Sequence, residues 1–256
     1  MSTTGTTTGE PCWISLFTSD VDTAVSFYGD LFGWSAGEPS EEFGGYRMFL
    51  RGEEPIAGLV PNDSGQPSLW SIYLATADIA ATIEKAKARG ATVIADVMQV
   101  ADLGTMAEFV DPAGAAIGAW QADTFPGFRT RAAIGAPGWF ETLSTSYADS
   151  VAFYQEAFGW ETHVVSDTPE FRYTTLGQDE NARAGIMDGA EFLGDEPSRW
   201  HVYLTVEDTD ETVAQAVARG GEVVLQAEDT PYGRIAELQD PAGVSFRVLG
   251  PNSEAS

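Results

Sequence analysis

Trp13–Trp34 reads WISLFTSDVDTAVSFYGDLFGW, and Trp139–Trp160 reads WFETLSTSYADSVAFYQEAFGW. The two stretches align without a gap at an offset of 126 residues, and both end on FY, three residues, then FGW. Each opens on a short strand-like run and then changes to helical spacing. In the first, Val21, Ala24, Val25, Tyr28, Leu31 and Phe32 recur at i, i+3 and i+4, which predicts a helix with one buried stripe. Ser19 or Asp20 supplies its N-cap, and Gly33 the left-handed residue that ends it.

The repetition continues along the chain. WSIYLATAD (Trp70–Asp78) matches WHVYLTVED (Trp200–Asp208), and ARGA from Ala88 matches ARGG from Ala218. GTMAEFVDPAGAAIGAW (Gly104–Trp120) matches GRIAELQDPAGVSFRVL (Gly233–Leu249). Landmarks in the same order twice mean a duplication of nearly the whole chain. In the first half, short strands are predicted at Tyr46–Leu50 and Pro55–Pro61. A second strand–helix unit starts at Trp70, its helix running from an Asp78 cap to Gly90, and strands follow at Thr92–Val97, Thr105–Val110 and Ala115–Trp120. The DPAG at Asp111–Gly114 is a tight turn. One such module buries too little surface alone. Two βαβββ modules per half make a curved eight-stranded sheet around a cleft, an α+β fold repeated in tandem, with one short strand not visible in the first module. The expected partition is a Thr/Gly-rich disordered tail at 1–10, a domain at 11–121, a linker at 122–137 holding Pro126, Gly127, Gly135 and Pro137, and a domain at 138–250.

Composition excludes several classes. Residues 1–122 carry 16 acidic and 5 basic side chains and the remainder 23 and 8, so the net charge of −26 is a property of both halves. Such a surface repels nucleic acid and anionic membranes. A single cysteine, Cys12, rules out a disulfide framework or a cysteine-based zinc site. The N-terminal MSTTGTTTGE has no basic, apolar leader pattern, and no apolar run is long enough to span a bilayer, so a cytoplasmic protein, monomer or homodimer, is expected.

With its paired FGW and DPAG motifs, the chain resembles the vicinal oxygen chelate superfamily of glyoxalases, extradiol dioxygenases, fosfomycin-inactivating enzymes and bleomycin-resistance proteins, over roughly residues 11–250. It looks most like the two-domain actinobacterial glyoxalase-like type, often labelled hydroxylase or lyase. The resemblance implies a cleft in which catalytic members hold a divalent metal by His, Glu or Gln. Carried over, the ligand positions fall on Trp13, Ser71 and Gly118 in the first half and on Trp139, His201 and Arg247 in the second, with a further one near Gly58–Leu59 and Gly185–Ile186. Only His201 is a good ligand, so no metal cofactor is expected.

The remaining candidates follow from strand alternation. Trp139 and Glu141 share a face of one strand, and Ser245 and Arg247 share a face of another. If His201 joins them, Glu141, His201 and Arg247 are an acid, a base and an anion stabiliser. The equivalents Ser15, Ser71 and Gly118 are small and uncharged. The alternatives are a structural His201 and a Glu141–Arg247 ion pair. Trp13, Trp120 and Trp139 suit a flat aromatic ligand, whereas Trp34 and Trp160 read as packing residues. Arg47 and Arg172 recur in matching strands, either to reach a ligand anion or to pair with an acidic surface. Glu108 and Glu237 recur before DPAG, as substitute carboxylate ligands or as strand-surface glutamates. Three functions stay open: a metal-free protein sequestering a small aromatic or apolar metabolite or antibiotic, a glyoxalase-like lyase, isomerase or oxygenase, and a non-catalytic interaction module.

Overall fold

The computed structural model describes residues 7–63, 65 and 67–253. The first half runs β1 (Pro11–Thr18), α1 (Val21–Phe32), β2 (Trp34–Ala36), β3 (Arg47–Arg51), β4 (Glu54–Pro61), β5 (Leu69–Ala75), α2 (Ile79–Ala88), β6 (Thr92–Val100), β7 (Gly104–Val110) and β8 (Ala116–Ala122). The second runs β9 (Pro137–Ser144), α3 (Tyr147–Phe158), β10 (Thr162–Asp167), β11 (Arg172–Leu176), β12 (Ala184–Asp188), a one-turn α4 (Ala190–Leu193), β13 (Arg199–Thr205), α5 (Thr209–Ala218), β14 (Glu222–Thr230), β15 (Gly233–Gln239) and β16 (Ser245–Gly250). They form two open eight-stranded sheets, ordered β2-β3-β4-β1-β5-β8-β7-β6 and β10-β11-β12-β9-β13-β16-β15-β14. The strand not visible in the sequence is β2, only three residues long and directly after the FGW glycine.

Local chemistry explains the element ends. Asp20 accepts the Thr23 amide at 3.0 Å, and Gly33 closes α1 at φ 68°. Asp78 and Asp208 cap α2 and α5 in the same way. The buried face of α1 is Ala24, Phe27 and Tyr28, so Phe27 joins the expected stripe while Val25 and Leu31 stay half-buried. Central strands are buried almost throughout, as β5 and β13 show, because each lies between neighbours and under helices. The edge strands β6 and β14 are mostly exposed.

Packing divides the chain into two compact units, and each draws on both halves. One comprises the segments up to Trp13, Ser71–Gly127 and Phe140–Trp200; the other comprises Ile14–Trp70, Phe128–Trp139 and the segment from His201. Helix α2 packs on α3 in the first unit, and α1 on α5 in the second. At the heart of the second unit, Trp70 Nε1 donates to the Tyr28 hydroxyl at 3.1 Å, which donates to Oδ2 of Asp240 at 3.1 Å. The first unit repeats the relay: Trp200 Nε1 to Tyr154 at 2.8 Å, and Tyr154 to Oδ2 of Asp111 at 3.0 Å. The other oxygen of each aspartate closes its own DPAG turn by accepting two backbone amides, Ala242 and Val244 for Asp240 and Ala113 and Ala115 for Asp111. Burial raises both aspartates above the ordinary carboxylate value despite these donors. It raises both tyrosines further, with the neighbouring carboxylate adding to the effect.

The segment between the halves and the chain start are tied in by the FGW indoles. Trp34 Nε1 donates to the Gly135 carbonyl at 2.7 Å, and Trp160 Nε1 to the Gly9 carbonyl at 2.8 Å. Phe128 is buried, so the expected linker is packed rather than loose. Of the expected tail, residues 1–6 lie outside the described residues, whereas Gly9 donates its amide to the Ala75 carbonyl at 2.7 Å. No helix of the described residues is long and apolar enough to cross a membrane.

Candidate functional site

The DPAG turn sets the register of β15 against β16, and this register builds a site in the second unit. Glu237 lies opposite Arg247 across the antiparallel pair, and Tyr203 lies opposite Arg247 across the parallel β13–β16 pair. His201 is two residues before Tyr203 and so shares its face. All four are buried: His201 is 1 % exposed, Glu237 2 %, Tyr203 4 % and Arg247 9 %. Arg247 Nε and Nη2 both lie 2.9 Å from Oε2 of Glu237, and its Nη1 donates to the Tyr203 hydroxyl. The guanidinium carbon sits 5.3 Å from the Tyr203 ring centroid, within cation–π range. On the other side of the carboxylate, His201 Nε2 is 3.4 Å from Oε1.

Burial alone would push Glu237 towards the neutral form. The His201 and Arg247 hydrogen bonds and charges outweigh it and bring the carboxyl down to about 2. A carboxylate this acidic is a weak base at neutral pH. Its role is to fix the guanidinium and the imidazole, which leaves donors of set orientation on one sheet face.

This arrangement corrects the reading of Glu237 as a strand-surface glutamate. It also changes the expected trio. Arg247 pairs with Glu237, and Tyr203, which alternation along Trp200–Thr205 could have placed beside His201, completes the cluster. Glu141 is buried on β9 opposite Gly185 of β12, in the other unit, and none of the contacts just described runs to it. Trp139 is half-buried at the same strand. Trp13 is buried with its ring edge-on to Phe125, and Trp120 Nε1 donates to the Phe125 carbonyl at 2.8 Å. Ser71 is buried with its hydroxyl 3.4 Å from Glu108. Arg47 is half-buried on β3 and lines a shallow depression of about 410 Å³ with Asp20, Asp22 and Asp63. Arg172 is held on the acidic surface by Asp167 at 2.9 Å and Asp188 at 3.4 Å, over the Tyr147 ring.

Residues 12–118 match the family described as the glyoxalase/bleomycin resistance protein/dioxygenase superfamily, and residues 142–249 match its glyoxalase-like domain. Across nearly the full length, the chain is 33% identical over 250 residues to CFP32, a provisionally named glyoxylase of Mycobacterium tuberculosis, covering 95% of each. The chain belongs to this superfamily. A second relative is the anthracycline biosynthesis protein DnrV of Streptomyces peucetius, 31% identical over 271 residues, covering 94% of this chain and 93% of that one. Among solved structures, the 2,3-dioxygenase LapB of Pseudomonas sp. KL28 has a TM-score of 0.67 at 12% identity, covering 98% of this chain and 95% of that one. The Mn(II)-bound glyoxalase of Novosphingobium aromaticivorans has a TM-score of 0.65 at 17% identity, covering 97% of this chain and 84% of that one. At these identities the two structures share the fold, a tandem pair of vicinal oxygen chelate domains.

At four of the ligand positions that the resemblance implies, the residues present do not suit a divalent metal. Gly58, Gly185 and Gly118 have no room for a side chain, because a Cβ at each would collide with Tyr46, Tyr173 and Tyr73 respectively. At the fourth such position stands Arg247, whose permanent charge already occupies Glu237 and repels a cation. Among the described residues, no three His, Cys, Asp or Glu side chains gather in metal-binding geometry.

Proposed function

We propose that this protein binds a small, largely aromatic molecule without a metal, and that His201, Tyr203, Glu237 and Arg247 form the polar end of its site. The observation that carries this reading is the buried Arg247–Glu237 pair, at a position where the resemblance implies a metal ligand. A buried ion pair of this kind adds little stability over a well-packed apolar pair of the same shape. It does hold a guanidinium, a phenol and an imidazole in fixed directions, which suits hydrogen bonding to the oxygen substituents of a flat ring system. Trp139, half-buried in the same unit, supplies aromatic surface of the matching chemistry. Similarity to a protein of anthracycline biosynthesis favours the polycyclic aromatic class.

A second reading is supported by the 3.4 Å approach of Glu237 to His201 Nε2. A carboxylate that orients an imidazole is the support a general base needs. A lyase or isomerase would then use His201 for proton transfer, with Arg247 facing the developing oxyanion.

Titrating 1,8-dihydroxyanthraquinone by calorimetry, in chelator and then in added Mn(II), tests the first reading. Saturable binding in chelator, weakened at least about tenfold by Arg247→Ala, is expected. Binding that needs Mn(II), or that Arg247→Ala leaves unchanged in a folded protein, overturns it.

A further inference from the structure

The counterpart of this cluster in the other packing unit has lost its cations and kept its anion. Glu108 on β7 lies opposite Gly118 of β8, and Tyr73 of β5 lies opposite Gly118 in the parallel pair, the same register that assembles Glu237, Arg247 and Tyr203. Arginine is replaced by glycine and His201 by Ser71. Because Gly118 has no Cβ, the Tyr73 ring lies down over the strand in that space and points its hydroxyl at Oε1 of Glu108, 2.5 Å away. Ser71 Oγ adds a weaker contact to the same oxygen at 3.4 Å. Both donors are neutral. Among the described residues no Lys, Arg or His pairs with Glu108, which is half-buried.

The geometry points to a binding site for a protonated amine, formed by the Glu108 carboxylate, the Tyr73 ring and hydroxyl, and Ser71. A half-buried carboxylate is costly to leave with neutral partners alone. An ammonium supplies the missing positive charge, as Arg247 does for Glu237 in the duplicate, and reaches the half-buried carboxylate from its solvent side, past the edge of the Tyr73 ring, which is 5 % exposed. An amine fits better than a metal ion. One carboxylate whose neighbours are a phenol and an alcohol offers too few anionic oxygens for a divalent cation, whereas a single ammonium needs one carboxylate and a ring. Anions are excluded by the same carboxylate. The site uses no residue of the His201 cluster and does not rest on the function proposed above.

The experiment uses the full chain and benzylammonium as probe, with benzyl alcohol as its neutral counterpart. Calorimetry gives the affinity, and the amide resonances of Ser71 and Gly118 report the location. Benzylammonium is expected to bind saturably, to move both resonances, and to bind at least about tenfold more tightly than benzyl alcohol. Glu108→Gln should remove this preference. Glu84→Gln, which makes the same change in net charge at an exposed helix position, should retain it and so controls for attraction to an acidic surface. Tyr73→Phe should weaken binding less than Glu108→Gln, since the carboxylate and ring remain. The proposal is overturned by an absence of saturable binding, by saturation that leaves the two resonances still, or by equal affinity in wild type and folded Glu108→Gln. If Glu108→Gln does not fold, the resonances and the benzyl alcohol comparison in wild type decide alone.

Discussion

Replacing Tyr28 by Phe removes one oxygen and should be among the most destabilising single-atom changes in the molecule. Tyr28 is fully buried and is both acceptor and donor, taking the Trp70 N–H and giving its own proton to Asp240. Without the hydroxyl, the buried Trp70 N–H has lost its acceptor, at about 1–3 kcal/mol. Asp240 loses a hydrogen bond to a carboxylate, worth about 1.5–3 kcal/mol, and keeps only the Ala242 and Val244 amides. The expected loss is therefore about 2.5–6 kcal/mol at neutral pH, a large fraction of the roughly 5–15 kcal/mol that holds a domain folded. Part of the loss depends on pH. Burial already holds Asp240 above the ordinary carboxylate value, and removing Tyr28 raises it further. Ionising a raised acid destabilises the folded state, so the Tyr28→Phe penalty should shrink as pH falls through the raised folded pKa values of Asp240 in variant and wild type, both of which lie above the ordinary carboxylate value. Urea unfolding followed by tryptophan fluorescence measures it, since Trp34 and Trp70 both pack on Tyr28. A double-mutant cycle with Asp240→Asn should give a coupling of about 1.5–3 kcal/mol. A Tyr28→Phe protein within about 1 kcal/mol of wild type at pH 7, with the slope of the transition unchanged, would refute the relay as a stabilising device.

Glu237, lowered from 4.5 to about 2, contributes stability that is complete above its unfolded pKa and is lost as pH falls from about 4.5 through about 2. The amount is about 3 kcal/mol, and acid unfolding of Glu237→Gln should be correspondingly flatter in that window. A methyl group at position 118 would sit well inside 3.0 Å of the Tyr73 ring, so Gly118→Ala should cost about 1–3 kcal/mol in urea and release the Tyr73 hydroxyl from Glu108. Residues 1–122 expressed alone separate Tyr28 from Asp240 and Asp111 from Tyr154. They should be unfolded when dilute and gain structure only as a dimer that sets Tyr28 of one copy against Asp111 of the other; a folded monomer in ultracentrifugation would contradict this.

The duplication, the helix caps and most strands were legible because they follow from local chemistry. FGW ends a helix through a left-handed glycine, and an aspartate before each amphipathic run caps it. The three-residue β2 carries too few residues for a periodic signal. The pairing of modules was hidden for a different reason. Tyr28 reads correctly as part of a buried helix stripe and Asp240 correctly as a turn residue, but nothing in either local pattern states that they are partners 212 positions apart. The site was half legible. Alternation singles out His201 and Arg247, whereas Glu237 reads either as a ligand or as a surface residue, because a lone glutamate in a strand has no local mark of burial. Counting outward from the DPAG turn recovers it: Gln239 faces Ser245, so Glu237 must face Arg247.

The two halves also show which positions the fold constrains and which it leaves to chemistry. The Trp–Tyr–Asp relay is retained in both units with its two bonds at 3.1 and 3.1 Å in one and 2.8 and 3.0 Å in the other. Each member depends on the next: tryptophan can only donate, a turn-capping aspartate can only accept, and a buried hydroxyl alone can join them. Losing any one strands a buried polar group, so divergence there is resisted. The positions opposite Glu108 and Glu237 face no such constraint. At Gly118 the Tyr73 ring fills the space and donates to the carboxylate; at Arg247 the guanidinium fills it and Tyr203 becomes the acceptor. The half-buried Glu108 takes its hydrogen bond from the tyrosine itself, whereas the buried Glu237 takes its bond from a guanidinium that also donates to the tyrosine. The duplicated frame can thus exchange a neutral partner for a cationic one at a single strand position while its packing stays intact, and that exchange makes one unit suited to a positively charged group and the other to oxygen acceptors.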